Sequence, residues 1–321
     1  MTDSAAVRAI RIEEFGGPEV MELVDVPEPE PSDGEVVVEV ARCGINFADT
    51  HATRNDYLAE QALPLTPGGE ISGRTADGRR VAAILPFGGY AQKVAVPDSW
   101  LIPVADDVTD DQAAALLLQG LTAHALVHRC SRLQEGETVV VQAAAGGTGT
   151  LAVQLAKRAG ARVIALASTD DKRALATRLG ADAAVDSRAE DLRGAILEAN
   201  EGREVDAVLE MSGGPSFDAC LRTLAPFGRM VVFGIASREQ NQLSTGHLLR
   251  HSRSVIGFWL MHLIPHRDKV AAMIADLLGA VGAGELQVII GGTYPLSEVQ
   301  RAHEELAARR TTGKLLLDPS R

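Results

Sequence analysis

Aromatic side chains are scarce, at 4% of 321 residues. A core of stacked rings is therefore ruled out, and packing falls to Ala, Val and Leu between helices and strands. Cysteine is nearly absent as well. The three that occur, Cys43, Cys130 and Cys220, are far apart and form no CxxC pair, which excludes a disulfide framework and a cysteine zinc site. Positive charge is in deficit, with 31 Lys and Arg against 43 Asp and Glu and a net charge of −12. That balance argues against nucleic acid and anionic membranes as partners, since both demand a basic surface. No apolar run reaches the roughly 18 residues of a membrane span, and the first residues lack the apolar stretch of a signal peptide. The expectation is a soluble, cytoplasmic protein. What is present is 46% hydrophobic side chains and 31 glycines, in a chain long enough for two domains of about 100–200 residues.

The first hundred residues favour short strands. VRAIRIEEF, EVVVEVARCGI, RRVAAILPF and YAQKVAVP are β-rich runs separated by clusters such as PEPEPSDGE and LPLTPGGE, the punctuation of a compact, partly barrel-like β domain. The texture changes at Thr109, where Thr109 and Gln112 have the spacing of a capping box ahead of a long Ala/Leu-rich helix running to about Leu133. Strands then recur on a steady beat, starting near Thr138, Arg162, Ala183, Val205, Arg229 and Val255, with helical patterns between them. This is the pattern of a doubly wound parallel sheet of six strands. Beyond Ile256 a helix, a strand at LQVII, a second helix from Glu298 and a final strand LLLD follow. This tail is expected to complete the β domain, giving one domain from residues 1–112 with 256–321 and a dinucleotide-binding domain over 113–255.

The most informative segment is VVVQAAAGGTGTLAVQLAKRAG. A buried strand leads into a glycine-rich turn and an amphipathic helix, and Gly147-Thr148-Gly149 with Ala152 gives the GxGxxA dinucleotide fingerprint. Gly147 permits the tight turn, Gly149 lets a pyrophosphate approach the backbone, and Ala152 lets helix and strand pack closely. The helix N-terminus offers N–H groups and partial positive charge to the anion. About 20 residues on, an Asp or Glu would select NADH. This chain has Ser168 there, followed by Lys172 and Arg173, which favours the extra phosphate of NADPH. The histidine pairs His124/His128, His247/His251 and His262/His266 lack the glutamate of an HExxH site and are expected to be surface or packing residues. With no metal set, GxSxG elbow or activated nucleophile, hydride transfer is the chemistry that remains.

Several segments resemble the zinc-independent NADPH:quinone oxidoreductase branch of the medium-chain dehydrogenase/reductase superfamily. They are CGINFADTH, LPLTPGGEISG, LLLQGLTAHALV, VVVQAAAGGTG, LGADAAVD and TTGKLLLDP, spread over nearly the whole chain. The resemblance implies a Rossmann domain inserted into a GroES-like catalytic domain. Zinc-dependent relatives carry a cysteine ligand where this chain has Asn46 and a histidine ligand where it has Gly69-Glu70, so no zinc is expected. The resemblance places Asn46, Asp49 and His51 in the catalytic face, with Thr50 beside them and Thr122 approaching the cofactor from the long helix. It assigns Gly146, Gly147, Thr148 and Gly149 to the pyrophosphate, and Ser168, Lys172 and Ser187 to the adenosine 2′-phosphate. Met211, Ser212, Phe233, Gly234, Ile235 and Ala236 would flank adenosine, ribose and nicotinamide. Gly257, Phe258 and Trp259 would meet the nicotinamide amide, and Lys314 a cofactor phosphate.

Two departures stand out. His51 replaces a tyrosine common in the family, and Ser187 replaces a ring. The expected activity is NADPH-dependent, metal-free hydride transfer to a quinone or similar conjugated carbonyl, with the proton drawn from water or His51. Few rings (Phe47, Tyr57, Phe87 and Trp259) are at hand to stack on a flat substrate. Alternatives are an enoyl or alkenal reductase, for which Arg54, Arg74, Arg79 and Arg80 would supply a basic patch, and a non-catalytic, crystallin-like NADPH-binding protein. A homodimer joined near Ser254–Leu260 is expected from the family habit.

Overall fold

The structure is a computed structural model that describes residues 6–56 and 58–321; Tyr57 lies outside the described residues. The chain forms two compact units. The first comprises the described residues up to Leu118 with Leu278–Ala283 and Val288–Arg321, and the second comprises Gln119–Leu277 with Gly284–Gln287.

In the first unit, β1 (Ala6–Arg11) and β2 (Glu22–Pro27) form an antiparallel ribbon. The long β3 (Glu35–Ile45) leads into the short helix α1 (Phe47–Ala52), and β4 (Glu70–Thr75), β5 (Arg80–Ile84), β6 (Lys93–Pro97) and β7 (Ile102–Pro103) follow. Three of these strands, β2, β4 and the two-residue β7, carry no sequence signal. In β4 the cause is Gly73, which reads as a breaker but is required, because a Cβ there would lie 2.1 Å from the carbonyl oxygen of Glu39 on β3. Helix α2 (Asp110–His124) opens with the expected capping box. Gln112 N–H donates to Thr109 Oγ1 at 3.2 Å and Thr109 N–H to Gln112 Oε1 at 2.9 Å. The rest of the expected long helix widens into a π turn over Ala125–Cys130.

The second unit carries the strand beat. Its strands are β8 (Thr138–Val141), β9 (Arg162–Ala167), β10 (Ala183–Asp186), β11 (Val205–Glu210), β12 (Leu224–Val232) and β13 (Ser254–Gly257). The alternating helices are α3 (Gly147–Arg158), α4 (Asp170–Arg178), α5 (Leu192–Ala199), α6 (Pro215–Leu221) and α7 (Thr245–His251), with α8 (Arg267–Gly282) after the last strand. All five pairings are parallel, in the order β10-β9-β8-β11-β12-β13. The four residues of β8 are all buried, as strands covered on both faces require. Val140, Ile164, Val208 and Met230 pack with Ile196, Phe217 and Leu221.

Strand β14 (Ile290–Pro295), helix α9 (Val299–Ala307) and β15 (Lys314–Asp318) complete the first unit. Its seven-stranded sheet runs β14-β15-β3-β4-β5-β7, with β6 on β3. The strand expected at LQVII instead begins at Ile290 and runs through Gly291 and Gly292. Those glycines look like a turn, yet a Cβ at Gly291 would fall 1.7 Å from the Thr312 carbonyl oxygen. Among the described residues no helix is long and apolar enough to cross a membrane.

Candidate active site

In the parallel sheet the first strand, β8, lies between β9 and β11, so the strand order reverses there. Such a switch point opens a crevice at the carboxyl ends of the strands. Helix α3 starts in it. Its N-cap is Gly146, extended at φ −80°, which has no side chain to cap the helix, and the Gln119 side chain lies against Gly147. The first N–H groups of α3 therefore have no intrahelical partner and none from the N-cap side chain, the arrangement that receives an anion. Gly149 has a more local reason than room for a ligand. A Cβ there would stand 2.1 Å from the Ala143 carbonyl oxygen, so the turn could not close on α3. Ala143 itself holds a left-handed φ of 47°.

Every other residue expected at the nucleotide, apart from Thr122 and Thr50, sits at a neighbouring strand end, save Lys314. Ser168 follows β9, and Lys172 is in the first turn of α4, where its N–H is capped by Thr169 Oγ1 at 3.3 Å. Arg173 is spent on acids, contacting Asp170 and lying 3.6 Å from Asp186. Sequence reasoning missed Arg188, whose guanidinium donates to the Ser168 carbonyl oxygen. Ser187 N–H donates to Ala167 O at 3.1 Å. Met211 and Ser212 follow β11, and both of their N–H groups donate to Gln142 Oε1, at 3.2 and 3.1 Å. Gln142 is thus a positioning residue that the apolar run around it concealed. The segment Phe233-Gly234-Ile235-Ala236 follows β12 and lies along the Met211 loop, with Ala236 N–H donating to Met211 O at 3.0 Å. Gly257 ends β13, Phe258 and Trp259 follow it, and Phe258 N–H continues the ladder to Val232 O at 2.9 Å. Thr122 is buried on α2.

The first unit holds the second group. Asn46 caps α1, and its backbone N–H donates to Asp49 Oδ2 at 2.8 Å, closing a capping box. The Asn46 side chain points at charge. Its Nδ2 donates to Glu70 Oε1 at 3.0 Å, and its Oδ1 accepts from Lys314 Nζ at 2.6 Å. Lys314 also pairs with Glu70, while Glu70 Oε2 accepts the Leu118 N–H at 2.7 Å. Both partners are fully buried, at 1% and 0% exposure. The expectation of Lys314 at a cofactor phosphate therefore meets a different placement: its ammonium lies inside the β-rich unit, neutralising Glu70.

Asp49 accepts a further bond from the Tyr90 hydroxyl at 2.9 Å, and burial, the largest cause, raises its carboxyl to about 6. Thr50 turns its hydroxyl onto the Phe47 carbonyl oxygen at 2.7 Å. His51 is 2% exposed, with Nδ1 2.7 Å from Asp56 Oδ1 and its ring edge-on to Phe47. Of the histidine pairs, His124/His128 and His247/His251 stack with centroids at 4.6 and 4.7 Å, and His262 packs on Trp259.

Residues 32–106 match the family model described as the alcohol dehydrogenase GroES-like domain, and residues 147–278 match that described as zinc-binding dehydrogenase. The quinone oxidoreductase of Pseudomonas aeruginosa is 34% identical over 97% of this chain and 99% of its own. A mycobacterial protein solved with NADPH superposes with a TM-score of 0.91 at 34% identity, covering 98% of this chain and 100% of its own. The Escherichia coli quinone oxidoreductase solved with NADPH also gives 0.91, at 30% identity over 97% and 100% of the two chains.

The second family description raises zinc, and the donors here do not fit it. Asn46 Oδ1 and Glu70 Oε1 both turn to the Lys314 ammonium, a cation that no metal would share them with. Among the described residues no group of three or more His, Cys, Asp or Glu side chains could hold a metal. In the parallel sheet, by contrast, the uncapped helix and the strand-end loops fit a dinucleotide. The chain belongs to the quinone oxidoreductase branch of the medium-chain dehydrogenase/reductase superfamily.

Proposed function

We propose that this protein is an NADPH-dependent reductase that transfers hydride to a quinone or a similar conjugated carbonyl, without a metal. The observation that carries this reading is the uncapped N-terminus of α3 at the strand-order reversal, with Ser168 and Lys172 one strand away. The N–H groups of Gly147, Thr148 and Gly149 bind the diphosphate, and Ser168 and Lys172 bind the 2′-phosphate. Gln142 holds the Met211–Ser212 backbone in place for the ribose side. The reduced nicotinamide supplies the hydride. We assign the acceptor chemistry to Asn46, Asp49, Thr50 and His51 of the β-rich unit, whose internal cation is Lys314. A quinone is already electrophilic and accepts hydride without a Lewis acid. By family habit we place the protein in the cytoplasm as a homodimer joined along β13, which lies at the edge of its sheet among the described residues.

An enoyl thioester of CoA is less well served. Arg79 is paired with Asp77 and Asp98, and Arg80 with Asp110, so two of the four arginines of the basic patch are already committed to acids.

The test is a binding and turnover panel. Lys172→Ala should weaken NADPH about tenfold or more in calorimetry, the worth of a charged hydrogen bond, and leave NADH unchanged. Wild type should oxidise NADPH with a benzoquinone faster than with an enoyl thioester. Equal loss for both nucleotides would refute the 2′-phosphate assignment, and tight binding with no turnover would make the protein a non-catalytic NADPH carrier.

A further inference from the structure

Hydride transfer leaves a proton to be supplied, and the Asn46 turn holds a buried polar chain suited to it. Asp49 Oδ2 accepts two hydrogen bonds, from Asn46 N–H at 2.8 Å and the Tyr90 hydroxyl at 2.9 Å. Behind Tyr90, Nε2 of His303 on α9 lies 2.9 Å from the same phenol oxygen. A phenol has one proton, and Tyr90 gives it to Asp49, so His303 must be the donor to Tyr90, with its own proton on Nε2. Burial enforces this order. It pushes His303 down to about 4, keeping the ring neutral, and holds the Tyr90 phenol well above 10, keeping it protonated. The chain therefore runs one way, from His303 through Tyr90 to Asp49. Among the described residues both bonds to the carboxylate land on Oδ2 and none reaches Oδ1. Asp49 retains 9% exposure while Tyr90 and His303 have 0% and 1%.

We propose that Asp49 is the proton donor to the reduced acceptor, acting from Oδ1, and that Tyr90 and His303 are positioning residues that reserve that oxygen for the substrate. The proposal rests on the reductase reading above. Hydride brings two electrons and one hydrogen to the quinone. The Oδ1–H bond of protonated Asp49 then breaks, its proton joins the anionic acceptor oxygen, and the carboxylate regains a proton from solvent. NADPH, quinone and one proton give NADP+ and hydroquinone, so no other reactant is needed. A carboxyl at about 6 still holds the proton in about one molecule in ten at pH 7. The groups facing it are Glu70 on β4, which resists ionisation, Lys314 on β15, which favours it, the neutral Cys43 thiol on β3, and Tyr90. On its own helix His51 is held by Asp56.

The experiment is kcat against pH, from about pH 5 to 9, with NADPH and a benzoquinone. It compares wild type, Asp49→Asn, Tyr90→Phe, His303→Leu and His303→Gln, with NADPH affinity and melting temperature measured for each. Wild-type kcat should fall as pH rises through about 6. Asp49→Asn should lose about a hundredfold in kcat, the scale of general-acid catalysis, at unchanged NADPH affinity. Tyr90→Phe removes a donor from the carboxylate, so the falling limb should move to higher pH. His303→Leu should move it likewise, and His303→Gln, which keeps an N–H donor, should restore it. Wild-type kcat in Asp49→Asn overturns the proposal, as does a Tyr90→Phe curve that is lowered evenly with its limb unmoved. Wild type that oxidises NADPH with no acceptor fails the reductase reading itself and takes the proton assignment with it, whereas active wild type beside an unaffected Asp49→Asn fails the proton assignment alone.

Discussion

Asp49 should make the protein less stable than it could be. Its carboxyl rises from an ordinary 3.8 to about 6 because burial disfavours the charge more than Asn46 N–H, Tyr90 and Lys314 support it. A folded value above the unfolded one means that the stabilising contribution is complete below the unfolded value and is lost as pH rises through about 6. That gap, at about 1.4 kcal/mol per pH unit, amounts to about 3 kcal/mol near neutrality. Asp49→Asn removes the ionisation but keeps an oxygen for both inward bonds. At about pH 8 the variant should therefore be more stable than wild type by up to about 3 kcal/mol, and below about pH 4 the two should converge. Urea denaturation of both proteins at several pH values gives this difference directly, because titrations elsewhere cancel in the comparison. A difference that stays flat with pH, or a variant that loses stability at pH 8, would refute the claim that a desolvated carboxylate is held here. Together with the expected loss of turnover, stability and activity would be opposed at one atom.

The Lys314–Glu70 pair supports a second prediction. Lys314→Met strands a fully buried carboxylate and should cost about 3–5 kcal/mol, while adding Glu70→Gln should recover part of that loss in a double-mutant cycle; simple additivity would show that the two groups do not interact. Ala143 is solvent-exposed at φ 47°, so Ala143→Gly should raise stability by up to about 1 kcal/mol, and a lower melting temperature would count against strain in the turn. Gly149→Ala drives a Cβ into the Ala143 carbonyl, so melting temperature and NADPH affinity should fall together. A variant of wild-type stability would mean that the turn closes in some other way.

The parallel sheet was legible because each βα unit repeats one signal: a short apolar run, a polar helix face and a glycine at the helix end. The β-rich unit was less legible because its strands borrow glycines where backbones approach closely. Gly73 and Gly291 read as breakers, although each is the only residue that fits under a neighbouring carbonyl. The residues expected at the nucleotide fall near one another because loops at the ends of parallel strands converge whatever their composition. Nothing in TTGKLLLD says that the charge of Lys314 is met by Glu70, so the sequence leads to a phosphate partner where the structure has a carboxylate. Tyr90 and His303 are separated by more than half the chain. Their only sequence trace is that His303 falls on the buried face of α9 with Val299 and Ala302.

The position of β15 bears on how the protein is made. The last strand of the chain lies between β14 and β3 inside its sheet and brings Lys314 to Glu70. The β-rich unit therefore cannot close until Lys314–Asp318 have left the ribosome, and until then it exposes Glu70 and the edge of β3. The parallel sheet has all six of its strands by Gly257 and is free to fold while synthesis continues. Nascent chains stalled short of Lys314 should thus carry a protease-resistant nucleotide unit beside an unfinished partner that is open to chaperones.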